Sequence, residues 1–357
     1  MGLTGSSLFG TGARLAAGKE STWGTGVTVT DVIPFTSESI SPEQVFLQSD
    51  YLAGRVGREI ATASVQKAAG TVAFEPVIDV IAGDPLGWEL ILLAALGSGT
   101  WDAANSVTKY VPASTLPSLT LGIAKTVSVW EMAGAKVNSW EITGAFEQQL
   151  TGSADFVGRR VLRTGQSGIT NTTTTIVTNL TPTAKPSLLD LKDGVFRIGT
   201  HGDALAAADK MGISSFTLRG NNALTDAAFA TPEDTGGHTD ATFSLEHVRN
   251  DYRSFELEIG IARYHEDTLL DWAYNGTALQ CDLTFTVGSL YISFLLPYVK
   301  ILATPTAPVD GPGAVQTSAV LTALVNGSTN TDMAFADATA ITGEIGVEVK
   351  SNRTAAP

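Results

Sequence analysis

Several groups of residues in this chain are of types that could do chemistry. Gly12-Ala13-Arg14-Leu15-Ala16-Ala17-Gly18-Lys19-Glu20 has the glycines and the lysine of a phosphate-binding loop. It places five residues between the glycines where the motif has four, and it ends in Glu20 where a Ser or Thr must reach magnesium. His265-Glu266-Asp267 could exchange protons, but acids at a strand-to-helix junction also cap the helix and favour its dipole, and that reading outweighs catalysis. His247, near Asp251 and Tyr252, lacks the nucleophile elbow that a triad needs. Asp102, Asp226, Asp234 and Asp240 lie in loops without the alternating acids and terminal Glu of a calcium loop. Trp23, Trp88, Trp101, Trp130, Trp140 and Trp272 could form a sugar platform, though packing is the commoner use of such rings. The single Cys281 allows no intramolecular disulfide, and the histidines have no metal-ligand spacing. The expectation is no catalytic residue, no cofactor and no metal.

Composition bounds what remains. At 357 residues the chain has room for two domains with their own cores. Charged residues are 16% and hydrophobic ones 43%, a low charge content that suggests surface lost to contacts with other subunits. The net charge of −14 argues against a protein that grips nucleic acid through basic patches. Up to Gly165 there are 11 basic and 15 acidic residues, and beyond it 11 and 21, so the second half carries most of the excess. Residues 1–11 lack the basic and apolar regions of a secretory signal, and the protein is expected to be assembled in a bacterial host's cytoplasm. The longest apolar runs, 90–96 and 290–302, fall short of the roughly 20 residues that cross a bilayer, so no membrane is expected.

Alternation of period two dominates, as in Ser254-Phe255-Glu256-Leu257-Glu258-Ile259-Gly260-Ile261. Similar strands are predicted over 71–78, 118–124, 126–132, 136–143, 153–162, 214–219, 279–286, 290–296, 299–303, 317–324 and 341–349. Two helices are predicted, 84–96 with Asp84 as cap and Gly97 as stop, and 266–275 with Gly276 as stop. An internal repeat links them. Pro34-Phe35-Thr36 matches Ser215-Phe216-Thr217, and Phe74-Glu75 matches Phe255-Glu256, both displaced by 181 (216 − 35 and 255 − 74). After each helix comes a strand pair, then Gly134-Ala135-Lys136-Val137 against Pro297-Tyr298-Val299-Lys300-Ile301, where the displacement is about 164 because the first copy carries an extra loop, 98–116. Ser153-Ala154-Asp155-Phe156-Val157 then answers Thr317-Ser318-Ala319-Val320-Leu321. The polar, threonine-rich join reads as a linker. The predicted fold is therefore mainly β: two tandem antiparallel β-sandwich or partly closed barrel domains, each flanked by one α-helix. Residues 1–165 form the first with an N-terminal arm and a long hairpin loop at 41–69, 166–189 the linker, and 190–357 the second with a C-terminal arm.

Gly18-Lys19-Glu20-Ser21-Thr22-Trp23-Gly24-Thr25 followed by Ile33-Pro34-Phe35-Thr36-Ser37-Glu38-Ser39 resembles the opening of the tail tube proteins of long-tailed bacteriophages. So does Gly134-Ala135-Lys136-Val137-Asn138-Ser139-Trp140 followed by Ser153-Ala154-Asp155-Phe156-Val157-Gly158. The motif residues are Lys19, Glu20, Gly24, Gly134, Lys136, Val137, Asn138, Ser139, Ser153, Asp155 and Gly158. The resemblance covers residues 15–162, and in the second half the family's Gly is replaced by Pro297 and its Asn-Ser by Ile301-Leu302. It implies a virion protein whose partners are itself and other tail proteins. Six domains make a ring, rings stack into a tube, and DNA passes through the lumen without specific binding. With two copies per chain, three chains complete a ring.

The long 41–69 stretch carries Val45, Phe46, Leu47 and Tyr51, which need somewhere to bury, and a neighbouring ring would supply it. The corresponding stretch of the second half, 220–251, is more acidic and poorer in large apolar residues, which suggests weaker stacking. Sheet edges would be paired by neighbours in a closed ring. Two other readings follow from the same residues: a tail terminator or neck ring of the same fold, and a β-sandwich adhesin or carbohydrate-binding protein using the tryptophans.

Overall fold

The computed structural model of the chain describes residues 12–48, 61–78, 87–125, 127–178, 180, 187–225, 230–232, 242–263, 266–309, 315–327 and 332–351. In the first half these form β1 (Arg14–Lys19), β2 (Asp31–Ile33), β3 (Phe35–Glu38), β4 (Ser41–Gln48), β5 (Ala61–Phe74), β6 (Val77–Ile78), α1 (Trp88–Leu96), β7 (Gly97–Asp102), β8 (Val107–Pro112), β9 (Leu119–Ala124), β10 (Val129–Ala145), β11 (Thr151–Gly158) and β12 (Arg160–Arg163). The second half supplies β13 (Ser187–Leu188), β14 (Gly194–Thr200), β15 (Ser215–Asn221), β16 (Ala230–Pro232), β17 (Thr242–Ser244), β18 (Ser254–Ile261), α2 (Thr268–Asn275), β19 (Leu279–Val287), β20 (Leu290–Ile301), β21 (Thr317–Ala323) and β22 (Gly346–Lys350). The fold is mainly β, built of antiparallel sheets that do not close into a barrel, with few helices. Alternation sets the faces: in β18, Phe255, Leu257, Ile259 and Ile261 are buried while Glu256 and Glu258 reach toward solvent.

The strand order recurs. In the first half β1 pairs with β9, β9 with β10, β10 with β11, β11 with β5, and β5 with β3 and β4. In the second, β14 pairs with β19, β19 with β20, β20 with β21, β21 with β18, and β18 with β15. Each set carries a bulge at one equivalent place. The β9–β10 register slips between Met132 and Ala135, and the β19–β20 register skips from Cys281↔Leu296 to Leu279↔Val299. The extra residues are Ala133–Gly134 and Pro297–Tyr298, displaced by 164 (298 − 134). The sequence suggests separate strands on either side of Gly134 and of Pro297. Instead β10 and β20 run through, because a bulge bends a strand without ending it.

The 181 displacement does not survive at residue level in the strands that suggested it. Phe35 pairs with Phe74, but Phe216 pairs with Ile259 and Phe255 with Gly220. Following the ladders outward from the two bulges, Val72↔Ala154 corresponds to Ile259↔Ala319, so Phe74 answers to Ile261 rather than to Phe255. Phenylalanines there share a face, not a register.

Two joins make the halves continuous. The C-terminal part of β10 pairs with β15 in register from Ser139↔Asn221 to Ala145↔Ser215. The predicted extra loop is the β7–β8 hairpin, and β8 pairs with β22, which pairs in turn with β20. Lys109 on β8 ion-pairs with Asp337 near the C-terminus, and its hydrogen bond draws the Asp337 carboxyl down to a pKa of about 2. One buried cluster accordingly runs from Leu15 to Val349. Helix α1 is buried on every side, Glu89 included, whose carboxylate accepts from the Tyr110 hydroxyl at 3.0 Å. Its N-cap is Gly87 and its stop Gly97, left-handed at φ 106° as expected, while Asp84 lies outside the described residues. Helix α2 starts at Thr268, two residues later than predicted, and ends at a left-handed Gly276. The threonine-rich join is not bare: Asn171 is buried against Glu131, and Ile176, in a π-helical turn, completes a small core with Ala16, Val29, Ala124 and Val129.

Candidate functional site

The motif residues of the first half converge on two structural nodes. Lys19 is exposed at the end of β1, and Glu20 next to it turns inward to 7% exposure. The Glu20 carboxylate accepts from the Gly24 N–H at 2.9 Å, the Gly134 N–H at 2.8 Å, Ser118 Oγ at 2.7 Å and Thr120 Oγ1 at 2.8 Å. Four donors suit a buried carboxylate, whose oxygens can only accept. Gly134 is the bulge residue of β10, left-handed at φ 72°, and a side chain there would meet the Trp23 indole at 3.0 Å. Trp23 Nε1 donates to the Gly134 carbonyl at 3.1 Å, and the Arg159 guanidinium lies 5.6 Å from the Trp23 ring. A Cβ on Gly158 would lie 2.7 Å from the Met132 side chain, so this motif glycine lets β11 and β10 close up.

The second node ties the halves together. Val137 is in the core, and its neighbours reach across. Lys136 Nζ donates to Glu246 Oε1 at 2.6 Å and to the His247 carbonyl at 3.0 Å. Asn138 Oδ1 accepts from the Leu224 N–H at 2.9 Å, and Asn222 Nδ2 donates to the carbonyls of Val137 and Ala95. Asp155 accepts from Ser139 Oγ at 2.6 Å and Thr71 Oγ1 at 2.5 Å, linking β10, β11 and β5 on their exposed face. Ser153 sits on that face opposite Glu141. Sequence reasoning missed Asn222, Glu131 and the Arg253–Glu344 pair at 2.8 Å, which carry no local motif and gain their partners only through tertiary contact.

That exposed face runs unbroken across the β10–β15 seam. One cross-strand row passes through Lys300, Thr322, Glu256, Arg219, Glu141 and Ser153. Arg219 bridges Glu258 at 3.0 Å and Glu141 at 3.8 Å. With Glu43 and Asp155, the face carries five acids against Lys67, Arg219 and Lys300. An open depression of about 430 Å³ over the seam is lined by Ser139, Glu141, Asp155, Arg219 and Glu256. Polar and shallow, it lacks the apolar enclosure of a ligand pocket. Behind it Trp140 packs so closely on Gly220 that a Cβ there would fall 2.2 Å from the indole nitrogen.

The predicted long hairpin is the β4–β5 pair. Its register shifts between Gln44 and Phe46, and Phe46 and Leu47 are both strongly exposed, at 59% and 61%. Val45 is half-buried, and Tyr51 lies outside the described residues. The residues weighed for chemistry scatter. His247 is buried with Nδ1 2.6 Å from the Thr225 carbonyl, Cys281 is buried in β19, and Asp102 binds the turn at Ala104 and Asn105. His265, Asp226, Asp234 and Asp240 lie outside the described residues. Among the described residues no cluster of metal-ligating side chains occurs, and no helix is long and apolar enough to cross a membrane.

A family model for phage tail tube proteins matches residues 10–327. No curated protein sequence matches the chain. The match embraces both nodes, the seam and both runs of strands, so the motif residues, the antiparallel architecture and the family model agree. The chain belongs to the phage tail tube protein family.

Proposed function

We propose that this protein is the structural subunit of a phage tail tube, in which three chains close a ring of six tube domains and rings stack into a conduit for DNA. The observation that carries this reading is the β10–β15 seam between two runs of strands with the same order. A subunit that already joins one domain to the next by strand pairing needs only to repeat that join to make a ring. The division into domains at 1–165 and 190–357 follows the same recurrence.

The exposed seam face is the wall that would meet DNA. Its excess of acids, small hydroxyls and one internally paired arginine would let phosphates pass without being held, whereas rows of free cations would retain them. The hairpin with Phe46 and Leu47 is the element for contact between rings. The role is structural, the partners are further copies and other tail proteins, and the place is the virion tail, assembled in the host cytoplasm. Negative-stain imaging of concentrated full-length protein tests this: stacked rings with threefold chain stoichiometry are expected, and a protein that stays monomeric or closes only single rings overturns it.

A further inference from the structure

Among the described residues, the internal seam has an unpaired counterpart at each end of the sheet. From the bulges at Gly134 and Tyr298, the strand end that meets β15, residues 139–145, corresponds to residues 303–309. These continue past β20 outside any strand, with Val309 at 78% exposure and Leu302, just before them, at 68%. They still follow β21 as the end of β10 follows β11: Thr317 Oγ1 donates to the Thr306 carbonyl at 3.1 Å, the counterpart of Ile142 opposite Gly152. Pro305 and Pro308 have no N–H, which accounts for the lack of a regular ladder here and limits indiscriminate pairing. At the other end, Phe216↔Ile259 corresponds to Glu38↔Val72, so the edge of β15 (215–221) answers to residues 37–43, the end of β3 and the start of β4. That run pairs with β5 on one side, and no strand among the described residues pairs its other edge.

We propose that residues 37–43 of one chain add as a strand beside residues 303–309 of a second copy of this chain, repeating between chains the seam that β10 and β15 make within one. The occupant is a second copy because, among the described residues, the surface that fits each edge is its counterpart in the internal seam. The junction is head-to-tail, since the two edges are different, and such a contact closes a ring when its rotation divides a full turn. It deepens the ring reading above and rests on it for the number of chains.

In the internal seam Ser139 stands opposite Asn221, and the corresponding residues are Ala303 and Glu43, both exposed. Within one chain these lie at opposite ends of a sheet path through β5, β11, β10, β15, β18 and β21, roughly 34 Å at about 4.8 Å per strand, far beyond the roughly 7 Å limit of a disulfide. The test is the full-length double variant Glu43→Cys with Ala303→Cys, oxidised after assembly and run on a non-reducing gel; buried Cys281 stays out of the reaction. Covalent trimers that collapse to monomers on reduction are expected. Glu43→Cys with Ala307→Cys, about 13 Å out of register, should stay monomeric. Tubes that form without any cross-link, or equal cross-linking of both variants, overturn the junction while leaving the tube reading intact. Cross-linked species closing at another number keep the junction and overturn the three-chain ring. If the double variant does not assemble, mixing the two single-cysteine chains decides the matter: covalent dimers support the junction and their absence overturns it.

Discussion

Glu20 is a carboxylate taken out of water, and its four donors come from Gly24, Ser118, Thr120 and Gly134. The donors come from three separate segments of the first half, so the side chain fixes the end of β1 to the following turn, the start of β9 and the β10 bulge at once. Truncation leaves four buried donors without an acceptor, the costly direction for a hydrogen-bonded group. Glu20→Ala is expected to lower the stability of the unassembled chain by about 3–5 kcal/mol in urea unfolding, and Glu20→Gln by about 1–3 kcal/mol, since the amide retains one acceptor but sets an N–H₂ against donors. A loss below about 1 kcal/mol for the alanine variant would show that the node does not hold these segments. The sequence flags Glu20, Gly24 and Gly134 only through the family motif. Their spacing, more than 100 residues between first and last, gives no local reason for them to meet.

At the scale of elements, alternation made most strands legible, and glycine stops placed both helix ends. What alternation could not reveal is a bulge. Gly134 with its positive φ, and Pro297 with no N–H, look like strand ends although β10 and β20 continue through them. Nor could it fix register, which is why Phe74 and Phe255 matched in sequence while lying six residues apart in the ladders. The hairpin was legible from its length, and the structure adds the reason its apolar pair points outward: a bulge after Gln44 leaves Phe46 and Leu47 both facing solvent. Because neither is buried in the single chain, Phe46→Ser with Leu47→Ser should change chain stability by no more than about 0.5 kcal/mol. If the hairpin docks on the next ring, the lost burial of two large side chains is worth roughly 3 kcal/mol or more per contact. The protein concentration needed for tube formation, read by sedimentation, should then rise on the order of 100-fold. An unchanged threshold would remove the hairpin from ring-to-ring contact.

At the scale of the whole molecule, the net charge of −14 is not spread evenly, and the seam face is the part that the proposed conduit would turn toward DNA. Its five acids exceed its three cations by two, a modest bias, and one of those cations, Arg219, is bridged to Glu258 and Glu141. The absence of binding would therefore depend on how charges are paired as much as on their sum, and a reversal confined to this face separates the two effects. Glu141→Lys, Glu256→Lys and Glu258→Lys together add six positive charges per chain, moving the face from −2 to +4 and leaving Arg219 without its acidic partners. Exposed ion pairs contribute at most about 1 kcal/mol each, so folding should persist and assembly can be checked by imaging. Assembled variant tubes should then retain double-stranded DNA in co-sedimentation at roughly 50 mM salt and release it steeply as salt rises. Each neutralised phosphate contributes a slope of about −0.9 in log affinity against log salt. Unaltered tubes should show no such retention. Reversing three acids on the opposite side of the fold, away from this face, sets the background for charge alone. If that control retains DNA as well as the seam-face variant does, the seam face is not the wall that DNA meets.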